Sequence, residues 1–418
     1  MLLTLSKRFE FSASRRLAVP GWTDARNREV FGPESAARHG SGRNYTAVMI
    51  FTGPVDPRTG MVINVTEIKA AMKDLLARRY DHKFLNRDSE PFDAVPPTPE
   101  HVAARLLADA VPLFAGHAAR PVACHLNESS DREATAYRDG TVASHHLLDW
   151  SAARQTMSPH LSAAENDRLF GIASSPHGHG HHYRLRVTLG GERDAVTGLP
   201  ALPADVRAAL GAVHADLDHR HLNHEVPALA GLPMTTESLA RWLFARLAAD
   251  LPVQQVRLFE RDDFFAEHHA AGGTRLGMQR TFDAAHRLHS PLLDDAANRD
   301  VYERCNNPAG HGHTYRVEAT VDAPYDERSG TCGDFLALRD GIGRALAPWQ
   351  DRHLDLETGD FDGRPSTSEN IVQVLWPRLD AAVGGHLARL RLWETANNRF
   401  ALRRDEDAGA LTEGPDRR

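Results

Sequence analysis

Cysteine is scarce in this chain: Cys124, Cys305 and Cys332 are the only three among 418 residues. That excludes a disulfide framework and fits a reducing compartment, in which a thiol is free to act as a reagent. Long apolar runs are missing too. Nothing approaches the roughly 18 consecutive apolar residues of a membrane span, and the opening MLLTLSKRFE lacks the apolar core and cleavage site of a secretory signal. A cytoplasmic protein without a membrane partner is expected. Positive charge is not in excess, since the formal net charge is -7 and no Lys/Arg-rich run is interleaved with aromatics. Nucleic acid is therefore not an expected partner. Hydrophobic content of 41% and charged content of 25% are those of a folded globular protein. The length exceeds one ordinary core, so several domains are expected.

One segment is written three times: Phe11 to Leu17 (FSASRRL), Trp150 to Thr156 (WSAARQT) and Phe282 to Leu288 (FDAAHRL). Each is followed by a strand opening at Gly42, Gly180 or Gly312, and then by a turn ending in Gly60, Gly198 or Gly330. A helix-like stretch comes next, with apolar residues recurring at three and four. After it stand DHKFLN from Asp81, DHRHLN from Asp218 and QDRHLD from Gln350. A second helix begins at caps near Thr98, Thr236 and Thr367, with an acidic residue in its first turn. Each copy closes on a strand bearing a glutamate: Glu128, Glu260 and Glu394. The repeat is a whole domain, not a solenoid unit. The order strand, strand, helix, strand, helix, strand predicts an α+β fold with antiparallel sheets and helices on one face. Domains are expected at 1–135, 140–265 and 275–405, with linkers near 130–147 and 262–276 and a loose charged tail over 406–418.

The chemistry concentrates in the third copy. His311 and His313 are two apart at the start of a predicted strand, so both imidazoles project from one face. A third histidine from a neighbouring strand completes a three-nitrogen set with an open fourth position, the arrangement of catalytic rather than structural zinc. Cys305 lies in a polar Asn-Asn-Pro loop just before, which argues for access. Cys124 and Cys332 lack such context and read as structural.

Together these motifs resemble the 6-pyruvoyl-tetrahydropterin synthase family, including its 6-carboxytetrahydropterin synthase branch in the queuosine pathway. The segments Phe282 to Leu288, Cys305 to Tyr315, Thr367 to Asn370 and Leu392 to Asn398 carry the resemblance most closely. It implies a tunnelling fold, in which three two-layer units join their sheets into a barrel and two such rings stack. Three fused copies then close one ring within a single chain, and a homodimer of these pseudo-trimers is expected. Closure removes exposed sheet edges. The resemblance also implies Zn2+ on His286, His311 and His313, and Cys305 as a base of depressed pKa. It implies an Asp-His pair that activates the thiol from across a boundary, and Glu394 and Thr367 on a pterin triphosphate substrate.

The parts are spread unevenly. The third copy carries the histidines, the thiol and Glu394, but has Gln350 and Asp351 at the Asp-His places; His353 lies nearby with the wrong spacing. The second copy keeps Asp218, His219 and Glu260, with Ala173 at the thiol position and Arg154 in place of the first-strand histidine. His179 and His181 remain, and two ligands with a cation beside them hold zinc poorly unless His177, His182 or His160 substitutes for the third. In the first copy Arg15, Ser41 and Arg43 replace the metal ligands and Glu34 or Ser35 the thiol, while Asp81, His82 and Glu128 are kept. One composite site and one zinc per chain are expected, with the activating pair from the first or second copy. Asp218 and His219 are preferred because their copy is the better preserved. The expected function is a zinc-dependent lyase on 7,8-dihydroneopterin triphosphate giving a 6-carboxy- or 6-pyruvoyl-tetrahydropterin. The alternative is a silent scaffold that binds a pterin or purine-like ring.

Overall fold

A computed structural model describes residues 1–129 and 132–404. The expected tail over 406–418 lies outside the described residues. The first domain holds β1 (Leu2–Arg15), β2 (Ser41–Thr52), the short β3 (Lys83–Phe84), β4 (Arg120–Ser129) and β5 (Arg132–Tyr137). The second holds β6 (Val142–Arg154), β7 (His179–Leu189), β8 (Val253–Arg261) and β9 (Phe264–His269). The third holds β10 (Thr274–His286), β11 (His311–Val321), the short β12 (Arg352–His353), β13 (Leu387–Thr395) and β14 (Asn398–Arg403).

The long strands form a single antiparallel sheet that closes on itself as a twelve-stranded barrel, as expected for a fused ring. Three junctions join the domains. β5 pairs with β6, β9 with β10, and β14 returns to β1 with Leu2 opposite Arg403 and Leu5 opposite Phe400. The expected linkers near 130–147 and 262–276 therefore carry strands. The reason is physical: β5 alternates Ala134 and Ala136 toward the helices with Glu133 and Thr135 on the opposite, lumen-facing side. A strand whose buried face is polar does not announce itself by apolar alternation.

Paired helices cover the outside of the barrel. In the first domain Ile68, Met72, Leu75 and Leu76 of the helix Val65–Arg79 pack on Tyr45, Ala47, Met49 and Phe51 of β2. The second helix of each domain starts at a threonine cap: Thr98, Thr235 and Thr367 each accept a backbone N-H from the first turn. Each hydroxyl also donates to the next domain's turn, Thr98 to the Thr197 carbonyl at 3.2 Å, Thr235 to Gly330 and Thr367 to Gly60 at 2.7 Å. The ring thus runs first to second to third and back to first. The turn glycines have φ of +68°, +75° and +78°, and a Cβ on Gly330 would lie 2.3 Å from Pro233 Cβ. Only glycine meets both demands.

Candidate active site

Register brings the third domain's histidines together. His286 ends β10 opposite His311, which starts β11, and His313 lies opposite Ala284 two residues on. His286 Nε2 and His311 Nε2 face each other at 3.1 Å, and the His313 Nε2 is buried without a hydrogen-bond partner. All three offer ligand atoms within 4.8 Å of one another. Ring nitrogens so close with lone pairs converging repel unless a proton or a cation lies between them. Burial pushes His286 down to about 4, and burial with the neighbouring His313 pushes His311 down. His286 Nδ1 lies 3.1 Å from the Ser366 carbonyl, which fixes the tautomer that leaves Nε2 free. The set fits a divalent metal with one position open.

Cys305 sits half-buried in the short turn Glu303–Asn306 that follows the helix Asp295–Tyr302, and its carbonyl accepts the Leu288 N-H at 2.9 Å. Burial and then the Glu394 charge push its thiol up. The residues around Cys305 in its own domain thus supply no depression of the thiol pKa, which the expected activation leaves to a group from elsewhere.

The Asp-His places are occupied as read from the sequence. Asp81 accepts the Ser12 N-H at 2.9 Å and the His82 N-H reaches the Ser12 carbonyl at 2.6 Å. Asp218 and His219 repeat this on Ser151, and Gln350 and Asp351 repeat it on Asp283. His82, His219 and Asp351 share a φ of 56–58°. In each true pair the imidazole Nδ1 meets the carboxylate, at 3.0 Å in the first domain and 2.7 Å in the second. Both histidine side chains are more than four-fifths exposed, and both pairs are anchored to their own domain's first strand. Neither pair makes a hydrogen bond or ion pair with Cys305.

In the other two copies an arginine in an ion pair stands at the place of His286. Arg15, fully buried, bonds Glu128 at 2.5 Å and Glu34 at 2.6 Å, while Arg43 and Arg132 hold Glu34 at 2.6 and 2.7 Å. Arg154 pairs with Glu260, which also receives the Thr236 hydroxyl. Burial would raise Glu260, but Arg154 and His181 bring it down to about 2. Glu394 has no such arginine and takes the Ser368 hydroxyl and Asn398 amide at 3.3 Å each.

A second carboxyl escaped sequence reasoning. Glu369, two residues after the cap Thr367, is buried, and its Oε1 accepts the Val62 N-H of the first domain at 3.0 Å. Burial lifts it to about 8, helped by the Glu394 charge. Glu237 does the same on Cys332 N and is lifted by burial to about 7, whereas Glu100 bonds Ser144 instead. Such a glutamate reads in sequence as a first-turn helix acid. Its recurrence two residues after each of the three caps was the available signal.

A family model described as 6-pyruvoyl tetrahydropterin synthase matches residues 4–139, 147–271 and 275–405. The chain belongs to the 6-pyruvoyl tetrahydropterin synthase family, with three tandem copies of its domain. A stretch of 131 residues is 46% identical to the 6-pyruvoyl tetrahydrobiopterin synthase of Drosophila melanogaster, covering 31% of this chain and 78% of that protein. The human protein of the same name is 37% identical over 120 residues, 28% of this chain and 83% of its own. The solved Caenorhabditis elegans 6-pyruvoyl tetrahydropterin synthase is 32% identical with a TM-score of 0.30, covering 31% of this chain and 96% of that one. Among the described residues no helix is long and apolar enough to cross a membrane.

Proposed function

We propose that the chain is a pterin synthase lyase that takes 7,8-dihydroneopterin triphosphate, releases triphosphate and forms a 6-pyruvoyl- or 6-carboxy-tetrahydropterin at one site per chain. The observation that carries this is the convergence of His286, His311 and His313 beside the Cys305 turn, next to Glu394 and the seam carboxyl Glu369. Zinc on the three histidines supplies a Lewis acid for side-chain oxygens of the substrate. Glu394 is the group able to accept paired N-H donors of an aminopyrimidine edge, with the protonated Glu369 offering an O-H donor beside it. Val62 positions Glu369, so the site is composite between the third and first domains. Cys305 serves as the base once its proton is removed.

For that removal an Asp-His pair must reach the thiol, and both pairs stand exposed on their own domains. A second chain stacked end to end on this ring supplies one, which makes the working unit a homodimer of pseudo-trimers in the cytoplasm. The names of the relatives favour the pyruvoyl product.

The test is incubation with 7,8-dihydroneopterin triphosphate, scoring triphosphate, acetaldehyde and the pterin formed. Cys305→Ala is expected to be inactive, and so is the double variant His82→Ala/His219→Ala. Mixing the two inactive chains after subunit exchange is expected to restore part of the activity, because one contributes the thiol and the other the pair. An inactive parent supports instead the silent ring-binding protein that Gln350 and Asp351 favour. An active parent whose mixed variants stay dead overturns delivery from a second chain.

A further inference from the structure

The second domain repeats a feature of the third that its sequence hides. His179 starts β7 opposite Arg154, and His181 follows two residues on, the places of His311 and His313. The third-domain set leaves His311 Nδ1 and His313 Nε2 buried without hydrogen-bond partners; the second domain leaves His179 Nδ1 and His181 Nε2 in the same condition. His181 Nε2 lies 3.0 Å from Glu260 Oε1, yet the pair lacks hydrogen-bond geometry. That spacing suits an ion pair, and it equally suits two ligands that share a cation, as with His286 and His311 at 3.1 Å. Ligand atoms of His179, His181 and Glu260 all lie within 4.8 Å of one another.

Arg154 is the obstacle, since a guanidinium opposes a metal ion. Its contact defines its role, however. It holds Glu260 through Oε2, together with the Thr236 hydroxyl, and leaves Oε1 toward His181. A ligating carboxylate is commonly oriented by such a partner on its other oxygen. The carboxylate charge offsets the arginine, and two imidazoles with one carboxylate form a set used by zinc.

We propose that the second domain carries a further divalent transition-metal site built from His179, His181 and Glu260, with Arg154 as a positioning residue for the carboxylate. It binds more weakly than the three-histidine set. The chemistry there differs as well, because Ala173 stands where the third domain has its thiol, so this ion pins β7 to β8 without a base beside it.

Zinc chloride titrated into the metal-stripped full chain, followed by calorimetry, is expected to give two steps, with two ions bound per chain at saturation. His181→Ala should remove the weaker step and spare the tighter one; His313→Ala should do the reverse. Should His181→Ala fail to fold, cobalt(II) added to His311→Ala/His313→Ala reads the second site alone, and a visible ligand-field absorption is expected there. A single zinc step in the parent, a weaker step that survives His181→Ala, or no cobalt absorption in the double variant overturns the proposal. Each readout is independent of turnover.

Discussion

Val62 of the first domain donates its backbone N-H to Glu369 of the third at 3.0 Å, and in doing so ties the ring's closing seam to a carboxyl lifted to about 8. The folded ring binds a proton there that the unfolded chain, with an ordinary glutamate, has lost by neutral pH. Folding stability from this group is therefore complete below about pH 4.5 and falls as pH rises through about 8. Depressed histidines such as His286 act oppositely, but only below about pH 6.5, where free histidine titrates. Thermal midpoints of the metal-free chain are expected to fall between pH 7 and 9, and Glu369→Gln should flatten that slope. A parent midpoint indifferent to pH over that range would count against the assignment.

Removing Arg15 should be costly. Its side chain is the counter-charge of Glu128 and Glu34 in a fully buried position. Arg15→Leu leaves Glu128 charged and buried, and a loss of about 3–5 kcal/mol is expected in urea unfolding. Adding Glu128→Gln should recover part of it. If the single change costs no more than a surface substitution, the ion pair is not what holds the first domain's former metal position.

Gly330→Ala strains a turn at φ +78° and drives a Cβ to 2.3 Å from Pro233 across the second seam. A loss of about 1–3 kcal/mol or more is expected by denaturant melt. The change lies away from the third-domain histidines, so the tighter zinc step should remain.

Chelation should lower the thermal midpoint, since an ion bound only by the folded chain at a hundredfold excess over its dissociation constant contributes about 2.7 kcal/mol. His286→Ala should abolish most of this metal-dependent shift. Cys305→Ala should leave it intact, because the thiol is not among the clustered ligand atoms. Loss of the shift in Cys305→Ala would instead make the thiol a ligand.

Arg154→His recreates in the second domain the histidine that His286 supplies in the third, at the same register opposite β7. Zinc affinity of the second site is expected to rise, read as a sharper calorimetric step. An unchanged isotherm would show that Glu260 and the two histidines do not converge as described.

Much of this was legible in the sequence, and the exceptions share a cause. The histidine pair two apart, the partner segment ending in His286 and the repeated Asp-His places all follow from strand period and repeat alignment, and the structure places them accordingly. What escaped depends on neighbours distant in sequence. β5 read as a linker because Glu133 and Thr135 give it a polar face toward a barrel that exists only after closure, and β9 because its three buried apolar residues, Phe264 to Ala266, run straight into Glu267, His268 and His269. Glu369 read as a cap acid because its partner Val62 is three hundred residues away. For Cys305 the resemblance implies a depressed pKa, whereas burial and the Glu394 charge, both products of the fold, push the thiol up. The direction of the ring appeared only once the threonine caps were seen to reach the next domain's glycine turn.

Pairing of β14 with β1 has a further consequence. A ring assembled from three identical chains changes all its sites with every mutation, so none can be lost without losing the rest. Here the same ring is one polypeptide, and each seam mutates alone. Arginine settled into two of the three histidine positions, and the third was left to carry the thiol. Covalent closure thus releases this chain from symmetry, and makes a ring with three different seams heritable as a unit.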